Sequence, residues 1–390
     1  MNIQQKLFFN GGAGLAAFLL ASGIAVLQPT PIMAQAKSQP DVIVFTNGDQ
    51  LTGKLERSVG GSLIFKSDEL GEVTVSLDKV KELRTNGSFT VLQKGEKITR
   101  TSKVPGTITY ADKKITVTEP GGAASEVVPT SDLAYIIDSE TYNKEVTANP
   151  TPLQGWAGAI TGGATIVRAT DYGENFNLGI GLIRAIPTVP FLPPRTRSTV
   201  NVLETYGKLT SPVVPQTAPP SPAAETKTSI FHADAEHDKY FSTRLYALAA
   251  VSFDHNYAQG LNLQSIYGGG LGYTVFNTPV QQLDLKADVH YERENFFAPT
   301  PGENLIGSIF GEAYRRNLPR KIVFTENATF IPAWNNSSAY SAIFAAGLLM
   351  PTYKRLSLNL NVLDNYLNNP AAGYDKNSFQ FITGVSYSFK

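Results

Sequence analysis

Four histidines and the carboxylates around them are the residues of this chain with the most chemical reach. His232, Asp234, Glu236 and His237 fall within six residues, and Asp284, Lys286, Asp288, His290 and Glu292 occupy alternate positions of one segment. Imidazole and carboxylate groups can together ligate a divalent cation. The first group therefore reads either as a cation or metal site at a strand end or as a hydrated wall that holds nothing. The second mixes both signs along one face of a strand, which suits salt bridges filling a narrow interior or a weakly selective pore. Arg244 joins both groups as a candidate for that interior. Nucleophilic catalysis needs a hydroxyl within reach of a base. Two places after the histidines stand Asp234, Lys239, Tyr257 and Glu292, so no His-x-Ser pair exists. No catalytic, cofactor-binding or metal-ligating residue is assigned, and an enzyme is not expected.

These groups must be positioned by strands. In Gln281–Arg293 the apolar Leu283, Leu285, Ala287, Val289 and Tyr291 alternate with the charged row. Leu356, Leu358, Leu360 and Val362 alternate with Ser357, Asn359 and Asn361, and Phe176, Leu178, Ile180 and Leu182 with Asn177, Gly179 and Gly181. Period 2 over ten or more residues describes strands with one oily and one wet face, long enough to cross a bilayer at a tilt. Twelve such segments follow one another: 156–168, 175–186, 198–208, 227–237, 240–253, 263–276, 281–293, 304–315, 321–331, 339–350, 354–364 and 378–389. The last one ends the chain on Phe379, Phe381, Val385, Tyr387 and Phe389. An exposed aromatic edge invites aggregation in a soluble sheet, whereas a closed cylinder has no edge. Connections alternate in length, short at 237–239, 277–280, 317–320 and 351–353, mostly longer at 207–227, 254–262, 295–303 and 365–377. Short turns on one side and long loops on the other are the rule for outer-membrane barrels. The Pro-rich 187–197 connection is long where a short turn belongs, and only a stiffened flap accounts for it. Glu326 shares a row with Ile322, Phe324 and Phe330, and is expected near the rim. Trp156, Trp334, Tyr240, Tyr353 and Phe241 fall near strand ends, where aromatic rings anchor at the lipid–water boundary.

The rest of the chain fits an exported protein. Residues 1–36 carry Lys6, an apolar stretch and Met33-Ala34-Gln35-Ala36, which reads as a signal peptide cleaved after Ala36. Cysteine is absent, which excludes disulfides and thiolate metal sites. Net charge is zero with no basic run, so nucleic acid is not an expected partner. Residues 41–88 and 89–140 form two tandem small β-units with a repeat offset of 53: Gly53 matches Gly106, Leu55 matches Ile108 and Val75 matches Val128. Their G-D-x-L-T-G-K-L and G-x-L-x-F stretches look like small Sm-type or SH3-type barrels. Asp49, Asp78, Glu96 and Asp132 read as turn or strand-end residues. A linker, 141–154, leads into the barrel, 155–390.

Three sets of residues carry resemblances. Thr383, Gly384, Tyr387 and Phe389 resemble the C-terminal signal read by the barrel-assembly machinery, apart from the extra Lys390. Trp156-Ala157-Gly158, Tyr240-Phe241, Phe253-Asp254, Gly268 to Tyr273, Tyr291-Glu292-Arg293-Glu294 and Gly384–Phe389 resemble a Gram-negative outer-membrane family of unknown function, often labelled salt-induced outer membrane protein. The stretch from Asp41 to Gly53 is similar to members that carry a periplasmic preface. The sequence departs from the family at Gly173-Glu174-Asn175 and in the Pro-rich 211–224 insert. The resemblance implies location and fold, and no chemistry.

The expectation is therefore an all-β protein: a 12-stranded antiparallel transmembrane barrel in the outer membrane, with its N-terminal β-units in the periplasm. It would be structural or porin-like for small solutes, touching outer-membrane lipid, the assembly machinery and a periplasmic protein or peptidoglycan, without a cofactor. A receptor or adhesin acting through the outer loops is the alternative, followed by a lipid-modifying barrel enzyme.

Overall fold

The computed structural model describes residues 39–390 apart from 97, 99–102, 123–124, 148–149, 169–171, 190, 212–223, 279 and 390. The expected signal peptide, most of the Pro-rich insert and Lys390 lie outside the described residues. Among the described residues no helix is long and apolar enough to cross a membrane.

The N-terminal repeat is present strand for strand. β1 (Asp41–Phe45), β2 (Gln50–Val59), β3 (Ser62–Ser67), β4 (Gly71–Ser76) and β5 (Val80–Arg84) are followed by β6 (Phe89–Gln93), β7 (Thr107–Ala111), β8 (Lys114–Thr118), β9 (Ser125–Pro129) and β10 (Leu133–Asp138). In each copy the second, third and fourth strands form a meander, and the first strand pairs with the fifth. Gly53 and Gly106 mark the same close approach twice. A Cβ on either would collide with a facing carbonyl, that of Lys66 or of Thr118.

The two copies are not separate units, which corrects the division at residue 88. β5 pairs with β7, and β10 pairs with the second half of β2. Ile43, Leu55 and Phe65 of the first copy share one core with Ile108, Ile115 and Ile136 of the second. The reason is size, because a β-unit of about fifty residues buries too little apolar surface alone. Exchanging the fifth strand merges two marginal cores into one. Asp41 is buried here and accepts hydrogen bonds from the backbone N–H of Leu55 (2.8 Å) and Asn86 (2.7 Å).

The linker is ordered where it is described. Asp138 caps a helical turn at Ser139–Thr141 by accepting from the Thr141 N–H at 2.9 Å, and Tyr142–Thr147 continues it. Tyr142 and Val146 are buried with Leu92, Ile98, Ile137 and Leu192. Leu192 belongs to the Pro-rich connection for which the sequence offers no account. Val189 and Phe191 pack beside it, Phe191 lies 6.4 Å from the Tyr135 ring, and the Arg57 guanidinium sits 5.5 Å over it. The connection is long because it is the apolar seat on which the N-terminal region rests. Burial there pushes the Tyr135 phenol above its ordinary range.

The C-terminal part is a closed antiparallel barrel. Its strands are β11 (Trp156–Arg168), β12 (Tyr172–Ile186), β13 (Thr196–Ser211), β14 (Ala224–Tyr240), β15 (Leu245–Asn256), β16 (Leu261–Asn277) and β17 (Gln281–Phe296). β18 (Glu303–Gly307) and β19 (Phe310–Asn317) together make the eighth stave, and β20 (Val323–Pro332), β21 (Tyr340–Tyr353), β22 (Leu356–Leu367) and β23 (Asn377–Phe389) complete twelve. Each stave pairs with the next, and β11 closes on β23 from Gly158↔Phe389 to Gly162↔Val385. Tyr387, read as part of the assembly signal, pairs with Ile160 in that seam, and Gly384 packs close beside Gly162.

Alternation puts oil outside and polarity inside. Leu285, Phe310, Phe344 and Phe381 are exposed on the outer face, while Asp284, Asp288, His290 and Glu292 are buried. Glu326 lies outward opposite Tyr314, three residues from the start of β20 and in regular register on both sides, so no bulge re-aims it. The end holding residues 187–195 is called near below, and the opposite end far. Phe241, Trp334 and Tyr353 are exposed close to strand ends as expected. Tyr240 is not. It is buried against Tyr246, because β14 runs to residue 240 with its even positions inward.

Candidate functional site

At the near end the lumen is filled by one cation and its partners. Arg197 of β13 donates to Asp238 of β14 and to Asp284 of β17, both at 2.7 Å. Its guanidinium lies 5.1 Å from the Tyr246 ring and 5.9 Å from that of Tyr240. Thr274 and Gln282 donate to Asp284 at 2.6 and 2.8 Å. One layer above, Lys286 donates to Glu236 at 2.6 Å. A guanidinium held by two carboxylates and two rings satisfies charges that would be costly if stranded.

Mid-barrel, β14 and β15 build a second group. His232 places Nδ1 2.6 Å from Asp254 and Nε2 2.9 Å from Asp234, and Asn201 donates to Asp234 at 3.1 Å. Both imidazole contacts are hydrogen bonds only if both ring nitrogens donate. The group sits at mid-strand rather than at the mouth, since β14 extends three residues beyond the expected end at 237. His237 points to the other face, 2.8 Å from Ser198.

On β17 the upper charged residues are structural. The eighth stave breaks at Ser308 and Ile309, where the Asp288 carboxylate accepts from the Ile309 N–H at 2.6 Å. His290 packs next to Asp288 at 3.1 Å, and Gly307 opposite leaves no room for a Cβ beside its Nε2. Gln264 donates to Glu292. Among the described residues no three His, Cys, Asp or Glu groups converge as metal ligands.

The far mouth is strapped. Gln259 follows β15, is buried, and donates across the opening to the carbonyls of Asn365 (2.9 Å) and Lys376 (2.8 Å). Gly260 takes a left-handed φ of 69° there, and a Cβ on it would collide with Ala371. Between strap and arginine cluster lies a chamber of about 590 Å³. His232, Asp234, Glu236, Asp284, Lys286 and Asp288 line it. His290 and Glu292 face inward but are sealed beneath the eighth stave. Arg244 is a correction: it is exposed in the near-end turn, because β15 begins only at Leu245.

Arg197, Asp238, Asp254 and Gln259 escaped the sequence reading. Asp238 continues the even row of His232 to Glu236, so parity alone could have found it. Arg197 is hidden because the expected strand starts at 198, two residues later than β13 begins at Thr196. Gln259 carries no local signal for the strap, since the carbonyls it holds lie more than a hundred residues away.

Residues 221–389 match a family described as a protein of unknown function, DUF481. Among solved structures, the chain is similar to the beta domain of the Bordetella autotransporter Brka. The two share 12% identity with a TM-score of 0.28, over 60% of this chain and 98% of that one. It is also similar to the transport unit of the autotransporter AIDA-I from Escherichia coli, at 14% identity and a TM-score of 0.29, over 64% of this chain and 96% of the other. No curated protein matches the chain.

Proposed function

We propose that this chain, which matches the DUF481 family of unknown function over residues 221–389, is a non-catalytic outer-membrane barrel that takes small cationic solutes into a strapped lumen. The N-terminal region faces the periplasm and docks on the near mouth through residues 187–195. The outer belt of Leu, Phe and Tyr supports the membrane placement, because only a closed barrel satisfies every backbone group in lipid. Envelope fractionation on a density gradient tests it, and recovery in the detergent-free soluble fraction would remove it.

The observation that carries the solute reading is the charge of the lumen wall. On β14, β15 and β17 the inward rows hold Asp234, Glu236, Asp238 and Asp254, then Asp284, Asp288, Glu292 and Glu294. Against these stand Arg197, Lys286, His232 and His290. Carboxylates are in excess even with both imidazoles charged, and a low-dielectric wall focuses that field on cations. The Gln259 strap and the Arg197 cluster argue for a narrow, gated passage rather than a wide pore. Planar-bilayer recordings test this: small cation-selective currents that grow in Gln259→Ala are expected. Large unselective or anion-selective currents would overturn it.

A further inference from the structure

The chamber has two unlike walls. Its acidic side comes from β14, β15 and β17, with Asp234, Asp254, Glu236 and Asp288 around His232. On the opposite wall, β20 to β22 contribute Ile331, Ile343, Leu363 and Leu367, continued by Ile309, with the uncharged Asn327, Thr329, Ser341 and Asn365 between them. A lumen that only passed hydrated ions would be polar all round. Ile309, Ile343 and Leu363 are half-buried, so part of this aliphatic wall stands free in the cavity. Leaving it against water is unfavourable, and an alkyl chain would remove that cost.

We infer that the chamber is a binding site for a single-chain amphiphile with a cationic amine head. This rests on the reading of the lumen as a cation-accepting space and names the ligand class. The ammonium would sit against Asp234 and Asp254, whose side chains remain partly exposed beside His232. Lys286 and Arg197 are engaged with Glu236, Asp238 and Asp284, so they do not offer a free cation to a carboxylate-headed chain. The alkyl part would lie on Ile309, Ile343 and Leu363. A volume of about 590 Å³ falls within the few hundred to about a thousand Å³ of small-molecule sites.

The absence of cysteine gives a direct test. Ile343→Cys would be the single thiol of the full chain in lipid nanodiscs, and its modification by a small methanethiosulfonate reagent reports access to the chamber. Decylamine should slow that modification about tenfold, the worth of one good ionic contact. Decanoate and butylamine should not, and Asp234→Asn with Asp254→Asn should remove the protection. Arg244→Cys, in the exposed near-end turn, should be unaffected and controls for partitioning into lipid. Equal protection by decanoate, or none by decylamine, would sink the inference while leaving the conductance reading intact. A thiol at position 343 that no reagent reaches would overturn both.

Discussion

The two halves of this chain use the same alternation with opposite solvents. In the N-terminal region the inward positions are Ile43, Leu55, Leu63, Phe65 and Ile108, all fully buried, and most charged residues, Asp41 excepted, face water. In the barrel the inward positions are Asp238, Asp284, His290 and Glu292, and Leu285, Phe310 and Phe381 face out. A period of 2 thus says only that a strand has two unlike faces. Which face is buried depends on whether the strands pack on one another or close into a ring. The difference also sets what holds each half. Apolar packing stabilises the first, while the second rests on a closed hydrogen-bonded ladder and a largely paired polar interior.

Substitutions should separate the halves, beginning with the largest effect. Phe65→Ala removes a ring from the shared N-terminal core and should cost about 4 kcal/mol. Limited proteolysis should then degrade residues 40–140, while the barrel keeps its heat-modifiable band on electrophoresis. Loss of both together would show that the halves are not independent. Arg197→Ala strands two buried carboxylates and should cost about 3 kcal/mol, read by urea unfolding of the barrel in vesicles. An unchanged midpoint would mean that the cluster is dispensable. Leu285→Arg puts a charge on the outer belt and should cost about 2 kcal/mol in the same measurement. If it is neutral, that face is not lipid-facing. Leu192→Ala should cost about 2 kcal/mol at the docking seat and speed cleavage at residues 142–147 without moving the barrel transition. Asn361→Ser, on the neutral lumen wall, should stay within about 0.5 kcal/mol.

Much of the barrel was legible because long, clean alternation survives any context. The row from Leu283 to Tyr291 named both faces of β17, and the twelve segments were all found. Ends were less legible. Local position alone makes Tyr240 an interface anchor and Arg244 a lumen residue, and a strand boundary displaced by a few residues changes what each side chain meets. The Pro-rich 187–195 seat was visible as an oddity and unintelligible alone, since its reason lies on Ile137, Tyr142 and Val146. The repeat at an offset of 53 was real, yet its two copies share one core.

By itself the sequence determined strand number, the two unlike faces of each strand and the mixed charge of the inner rows, because these follow from period and composition along single strands. Tertiary structure decided which carboxylates meet Arg197, that Gln259 spans the far mouth, and that an aliphatic wall stands opposite His232. Those contacts join residues 41 to 117 positions apart or set walls across the ring from one another. Ring closure and strand register create such neighbours, and no local pattern encodes them.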